Sequence, residues 1–194
     1  CFLKTLPFAE LRSGFAEIIK HCIISDQSMF SRISQFDLTA QPLSELISHS
    51  VAFKKEVVTK DPKESGLRKI LNFGHTIGHG IESLSLNSGH RLLHGEAIAI
   101  GMITESWIAC QRQMLSAAEL SDIVGFILRI YGKQVANYLK SIERPVAAEM
   151  VEVFFPNKVE SEVLLKWFKS NFGKTAQGMF REMECHVTQQ FYLV

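Results

Sequence analysis

Two histidines, His75 and His79, stand four residues apart in the stretch LNFGHTIGHG at 71–80. On a helix that spacing brings two imidazoles to one side, a geometry that chelates a divalent metal. Two donors do not make a site, so a third must come from another segment. His94, which opens HGEAIAIGM at 94–102, is the strongest candidate, and His90, four residues earlier, is a weaker one. A carboxylate can come from Glu17, set among Phe15, Ala16, Ile18 and Ile19. A charge placed there needs a partner, which a metal ion or a lysine would supply. Two imidazoles and one carboxylate leave positions open to substrate oxygens and water, the pattern of a catalytic zinc rather than a closed structural one. Spacing alone leaves open whether His75 or His79 is the ligand.

Arg68, Asn72, His75, His79 and Glu82 are separated by 4, 3, 4 and 3 residues. On one continuous helix they would share a face about 80° wide. The pattern predicts such a helix over 66–85, with Leu71, Ile77, Ile81 and Leu84 on its other faces. Solvated stripes usually carry Lys and Glu, so an Asn beside two histidines points to ligand chemistry. Gly74 and Gly78 fall inside this helix, where each glycine costs ~1 kcal/mol relative to alanine. Four apart, they make a smooth groove that another backbone or a ligand can approach closely.

The elements that must position these groups are helical. FAELRSGFAEIIKHCII at 8–24 repeats apolar residues at three- and four-residue spacing, and QPLSELISHSVAFKKEVVT predicts a helix over 42–59. Pro62 and Gly66 break the chain before the histidine helix, and LNSGHRLL reads as a loop after it. The segment 95–110 is apolar on nearly every side and reads as a buried central helix. A helix over 117–132 should stop near Gly132, with further helix over 134–142 and 159–170 and an irregular tail after Lys174. The expected fold is an all-α, multi-helix domain.

Composition narrows the partners. A chain of 194 residues suits one domain, or two small ones, with a substantial core. The net charge is +1, with Lys and Arg scattered, which favours neither nucleic acid nor an anionic membrane. Cys1, Cys22, Cys110 and Cys185 show no C-x-x-C spacing, so neither a zinc ribbon nor a disulfide framework is indicated. They fit free thiols in a reducing cytosol. No apolar run reaches the ~18 residues of a membrane span. The chain starts with Cys rather than Met, and reads as a piece of something longer.

As an ordered set, LRSGFAEIIKHCIISD at 11–26, KKEVVTKDPKESGLRKILNFGHTIGHGIE at 54–82 and HGEAIAIGM at 94–102 resemble the C-terminal helical domain of the 3-dehydroquinate synthases. That family is related in fold to glycerol dehydrogenases and iron-containing alcohol dehydrogenases. The resemblance covers about the first 110 residues and assigns the metal to Glu17, His75 and His94. It makes His79 a residue that supports the ligands or handles protons rather than a ligand, and gives Lys20, Lys54, Arg68 and Asn72, with His79 and Lys174, to the substrate's phosphate, carboxylate and hydroxyls. Catalytic roles would fall to His79, Lys20 and Lys54. The implied reaction converts 3-deoxy-D-arabino-heptulosonate 7-phosphate into 3-dehydroquinate and phosphate in the shikimate pathway. It uses Zn2+ or Co2+ and an NAD that an N-terminal domain binds, commonly in a homodimer. That NAD-binding half is absent here, so the chain alone is expected to lack turnover. Near the C-terminus SNFGKTAQG at 170–178 keeps only Lys174 and Gly178 of the family's lysine segment, and the tail beyond departs from it. The alternatives are another sugar-phosphate cyclase, a metal-dependent polyol dehydrogenase of the same superfamily, or a non-catalytic helical fragment.

Overall fold

In the computed structural model, residues 2–86 and 91–141 are described. They form six α-helices with no strand among them: α1 (Phe8–Ser25), α2 (Gln27–Ile33), α3 (Ser44–Lys60), α4 (His75–Ser85), α5 (His94–Gln111) and α6 (Ala117–Ser141). Short 3-10 helices lie at Phe2–Thr5 and Leu67–Asn72. The all-α expectation holds, and none of the described helices is long and apolar enough to cross a membrane.

The core is organised around α5, in which every residue from Gly95 to Ala109 is buried. α1, α4 and α6 all pack against it. α1 contributes Phe15, Ile18, Ile19 and Cys22, the residues whose spacing predicted it. It ends at Asp26, whose extended backbone breaks the helix and whose side chain then accepts the Met29 amide to start α2. α2 itself was not expected. α6 begins with a reciprocal cap, Glu119 accepting from the Ser116 amide while the Ser116 hydroxyl accepts from the Glu119 amide.

Two helix boundaries differ from expectation. α6 does not stop at Gly132 but continues to Ser141. Its buried stripe of Leu120, Ile123, Ile127, Tyr131, Val135 and Tyr138 runs straight through that glycine, so core packing outweighs its low helix propensity. The single helix over 66–85 is really two pieces. Leu67–Asn72 is a 3-10 helix, Phe73 is extended, and Gly74 takes a left-handed conformation at φ 78° before α4 starts at His75. Arg68 and Asn72 therefore do not share a helix face with His75 and His79. The expected helix over 159–170 lies outside the described residues.

Candidate metal centre

Two buried joints bring the polar residues together, and each uses α5 as the reference. At its start, Gly95 abuts α1 so closely that a Cβ there would stand 1.9 Å from the Ser13 carbonyl oxygen. The Gly95 amide donates to the Ser13 hydroxyl at 3.0 Å. The neighbouring Glu96 caps α5 through the Leu93 amide at 2.9 Å and pairs with Arg12 of α1 at 2.6 Å. Glu17 lies one helical turn beyond Ser13, so the same contact sets His94 beside Glu17.

Further along α5, Gly101 meets the turn before α4. A Cβ on Gly101 would lie 2.0 Å from the Gly74 carbonyl oxygen and 2.8 Å from the Gly78 nitrogen. A Cβ on Gly78 would stand 3.0 Å from the Cα of Ile98. The groove expected from Gly74 and Gly78 is thus filled by the α5 backbone. Glu105 completes the joint: its carboxylate accepts the amides of Gly74 at 2.8 Å and Ile77 at 3.4 Å. It is fully buried, and burial pushes its carboxyl up to about 8 against the pull of those amides and of Lys20. The sequence reading passed over Glu105. Its signal is a carboxylate in an otherwise apolar helix, a group that has to find donors.

The result is a cluster on the molecule's surface edge. Glu17, His75 and His94 each bring one donor atom within 4.8 Å of the others. The rings of His75, His79 and His94 have centroids 5.3–5.6 Å apart. His75 places Nδ1 3.2 Å from the Phe73 carbonyl, which can only accept, so that nitrogen carries the proton. The lone pair on its Nε2 then faces Glu17 Oε1 at 3.3 Å. Burial, with the charge of Lys20 next, lowers the His75 pKa to about 4, so at neutral pH this contact is not an ion pair. Two acceptors held this close call for a cation between them, and the donor set fits a divalent metal.

Lys20 is buried and donates to both Glu17 oxygens at 2.9 Å. Burial raises the Glu17 pKa, but the charge and hydrogen bonds of Lys20 outweigh it and keep the carboxylate below its ordinary value. Lys54 stands exposed on α3, within electrostatic reach of Lys20 and His21. His79 is exposed, its Nδ1 3.5 Å from Glu82.

Arg68 and Asn72 converge instead on Glu64: Asn72 donates to it at 2.9 Å, and the Arg68 guanidinium lies 3.8 Å from it. Glu64 has φ 55°, a left-handed conformation rare for a side-chain-bearing residue. Asp61 builds the loop that presents them. Its buried carboxylate accepts the amides of Ser65, Gly66 and Arg68, which hold it well below the usual carboxylate range. Glu64 and Asp61 were read only as part of a break, because Pro and Gly mark a turn without saying which side chain closes it. His90 and Lys174 lie outside the described residues. A separate open cleft between α1, α2 and α6, lined by Ile23, Phe30, Phe126 and Arg129 among others, contains none of these groups.

Comparison with known proteins identifies the family. A 2-deoxy-scyllo-inosose synthase solved with carbaglucose-6-phosphate, NAD+ and Co2+ superposes with a TM-score of 0.54 at 25% identity, covering 80% of this chain and 42% of that one. The 3-dehydroquinate synthase of Parabacteroides distasonis is 41% identical over 133 residues, which is 67% of this chain and 38% of the relative. That of Rippkaea orientalis is 43% identical over 191 residues, 89% of this chain and 51% of the relative. The chain thus spans between about two fifths and one half of the length of these relatives. Residues 14–153 match the model of the 3-dehydroquinate synthase C-terminal domain, and the chain belongs to that family.

Proposed function

We propose that this chain supplies the metal- and substrate-binding half of a 3-dehydroquinate synthase, the lyase that converts 3-deoxy-D-arabino-heptulosonate 7-phosphate into 3-dehydroquinate and phosphate. The observation that carries the reading is the convergence of Glu17, His75 and His94 from α1, α4 and α5, each with a possible ligand atom within 4.8 Å of the others. These three would hold a Zn2+ or Co2+. Bound there, the cation would polarise substrate oxygens, while NAD, held by a nucleotide-binding domain of the same enzyme, would accept and return a hydride.

The remaining residues then have distinct tasks. Lys20 neutralises Glu17 from the buried side and leaves the outer side to ligands. Lys54, Arg68 and Asn72 supply charge-assisted and neutral hydrogen bonds to carboxylate, phosphate and hydroxyls, with the Arg68 fork suited to two oxygens at once. Glu64 holds Arg68 and Asn72 until such a ligand competes for them. His79 is exposed beside the cluster, and an imidazole is the side chain suited to pass a proton there. The ligands named for the inosose synthase complex, a phosphorylated sugar analogue with NAD+ and Co2+, support a phosphorylated sugar acid as substrate class.

The test is titration of the metal-stripped chain with Co2+, followed by visible absorption. Wild type and His79→Ala should bind one equivalent, and His75→Ala and His94→Ala should lose binding by at least about 100-fold. Full affinity in His75→Ala with loss in His79→Ala would move the site to the neighbouring set of His79, Glu82 and His94, and full affinity in His94→Ala would rule out both sets.

A further inference from the structure

Glu82 belongs to none of the roles assigned so far, yet it touches two of the three clustered histidines. It lies on α4, one turn beyond His79, with its side chain about one third exposed. Its Oε2 is 3.0 Å from Nδ1 of His94 and 3.5 Å from Nδ1 of His79. Among the described residues, Glu82 is the hydrogen-bond partner of His94 Nδ1.

We propose that Glu82 is a positioning residue: it accepts the proton of His94 Nδ1, fixes that ring as the Nδ1–H tautomer, and so presents Nε2 to the cation held with Glu17 and His75. The inference rests on the metal site proposed above. A carboxylate at hydrogen-bond distance from an imidazole nitrogen accepts a proton and cannot donate one. The same logic already governs His75, whose Nδ1 is held by the Phe73 carbonyl. Both imidazoles are therefore oriented from behind by an acceptor and turn Nε2 forward. For His75 the acceptor is backbone, supplied by the turn at Gly74. His94 is the first residue of α5 and exposed, so its ring has freedom that only a side chain from a neighbouring helix can remove. Glu82 is that side chain. An anionic acceptor also raises the basicity of the ligating nitrogen.

Glu82 could instead be a ligand, since His79, Glu82 and His94 also bring donors within 4.8 Å of one another. The positions of the atoms favour the positioning role. Oε2 already meets His94 at hydrogen-bond distance through Nδ1, and a cation at that nitrogen would exchange the more enclosed His75 for the exposed His79.

The experiment combines nitrogen NMR of 15N-histidine-labelled, metal-free chain with Co2+ titration, on wild type, Glu82→Ala and Glu82→Gln. In wild type His94 should be the Nδ1–H tautomer. Glu82→Ala should convert it to a mixture and weaken Co2+ binding about 10- to 100-fold. Glu82→Gln keeps a neutral acceptor, so it should preserve the tautomer and lose less affinity. Glu82 is not part of the hydrophobic core cluster, so the melting temperatures of the three metal-free proteins should agree. If wild type binds Co2+ and Glu82→Ala leaves both tautomer and affinity unchanged, the positioning role is wrong while the metal site stands. If wild type fails to bind Co2+, the metal site falls and this role falls with it. Loss of binding in Glu82→Ala with the tautomer unchanged would make Glu82 a ligand and overturn the proposal.

Discussion

Replacing Gly101 by alanine tests whether the metal centre depends on backbone contact between α5 and the turn before α4. Gly101 is mid-helix, where alanine is intrinsically better by ~1 kcal/mol. The new Cβ would, however, stand 2.0 Å from the Gly74 oxygen and 2.8 Å from the Gly78 nitrogen. Both are backbone atoms and cannot swing aside as a side chain could. Restoring ordinary contact at 3.4 Å requires α4 to retreat by about 1.4 Å. Overpacking of this kind costs typically about 1–3 kcal/mol, and two backbone clashes place it at or above the upper end. After the propensity gain, the net loss is about 2 kcal/mol, or a melting temperature lower by roughly 4–8 °C for a chain of this size. Gly125 is the control: it lies exposed on α6 with nothing within 4 Å of its hypothetical Cβ. Gly125→Ala should gain up to ~1 kcal/mol and melt a few degrees higher. The functional readout is Co2+ affinity. A shift of α4 carries His75 with it, so Gly101→Ala should bind Co2+ at least about 10-fold more weakly while Gly125→Ala matches wild type. Should Gly101→Ala melt no lower than wild type and hold Co2+ as tightly, the close approach is not what places His75.

Two further outcomes are expected. Burial raises the Glu105 carboxyl from 4.5 to about 8, so between those values the folded chain keeps a proton that the unfolded chain has released. Stability should therefore fall as pH rises from about 4.5 to 8 and level off above, by an amount on the order of a few kcal/mol. Glu105→Gln cannot titrate, so wild type should lose melting temperature relative to it from pH 5 to 8.5, and parallel curves would refute the assignment. Chelation of any bound metal should leave the helical circular dichroism intact, because the proposed ligands sit on helices fixed by apolar core contacts. Added Co2+ should then raise the melting temperature, by about 2.7 kcal/mol of stabilisation at 100 times the dissociation constant. Loss of the helical signal on chelation would show that the metal builds the fold.

The helices and the site were legible to different extents. Periodicity located α1, α3 and α5 to within about two residues, because each has one dominant environment: a core face for α1 and α3, burial all round for α5. The chain's most polar segment was misread. A 4, 3, 4, 3 spacing describes a helix only if the backbone is continuous, and Gly74 interrupts it with a left-handed turn whose amide is captured by Glu105, 31 residues away. Local propensity cannot see such a partner. The run of apolar positions through Gly132 was visible in the sequence, and giving that period precedence over one glycine would have carried α6 to its full length. Asp26 carried the signal for α2 as a helix-starting residue, but it followed the previous helix with no gap. The donors Glu17, His75 and His94 were legible as residue types set in apolar segments. The preference for His75 over His79 came from the resemblance, since the sequence puts both on one face; in the structure His75 is the more enclosed, backed by the Phe73 carbonyl and facing Glu17, while His79 is exposed beside Glu82.

The architecture explains why such a long apolar helix carries two acids. α5 meets α1 at Gly95 and α4 at Gly101, the two places where a Cβ would come within 2.0 Å of another backbone. Glycine permits approach but fixes neither direction nor register. Beside each contact stands a carboxylate that supplies both: Glu96 grips Arg12 of α1, and Glu105 grips the amides that open α4. Hydrogen bonds are directional, whereas apolar contact is not: the Glu96–Arg12 ion pair contributes about 1.5–3 kcal/mol, and the Glu105 carboxyl, kept neutral by burial up to about 8, still accepts both amides. A one-turn slip of either helix would strand a buried carboxyl group away from its hydrogen-bond partners, a penalty added to the lost packing. The two glycine–acid pairs thus convert a greasy helix into a ruler. It places Glu17 through the first pair, His75 through the second, and His94 as its own first residue. That three segments far apart in sequence deliver their donors to one point follows from this single shared element.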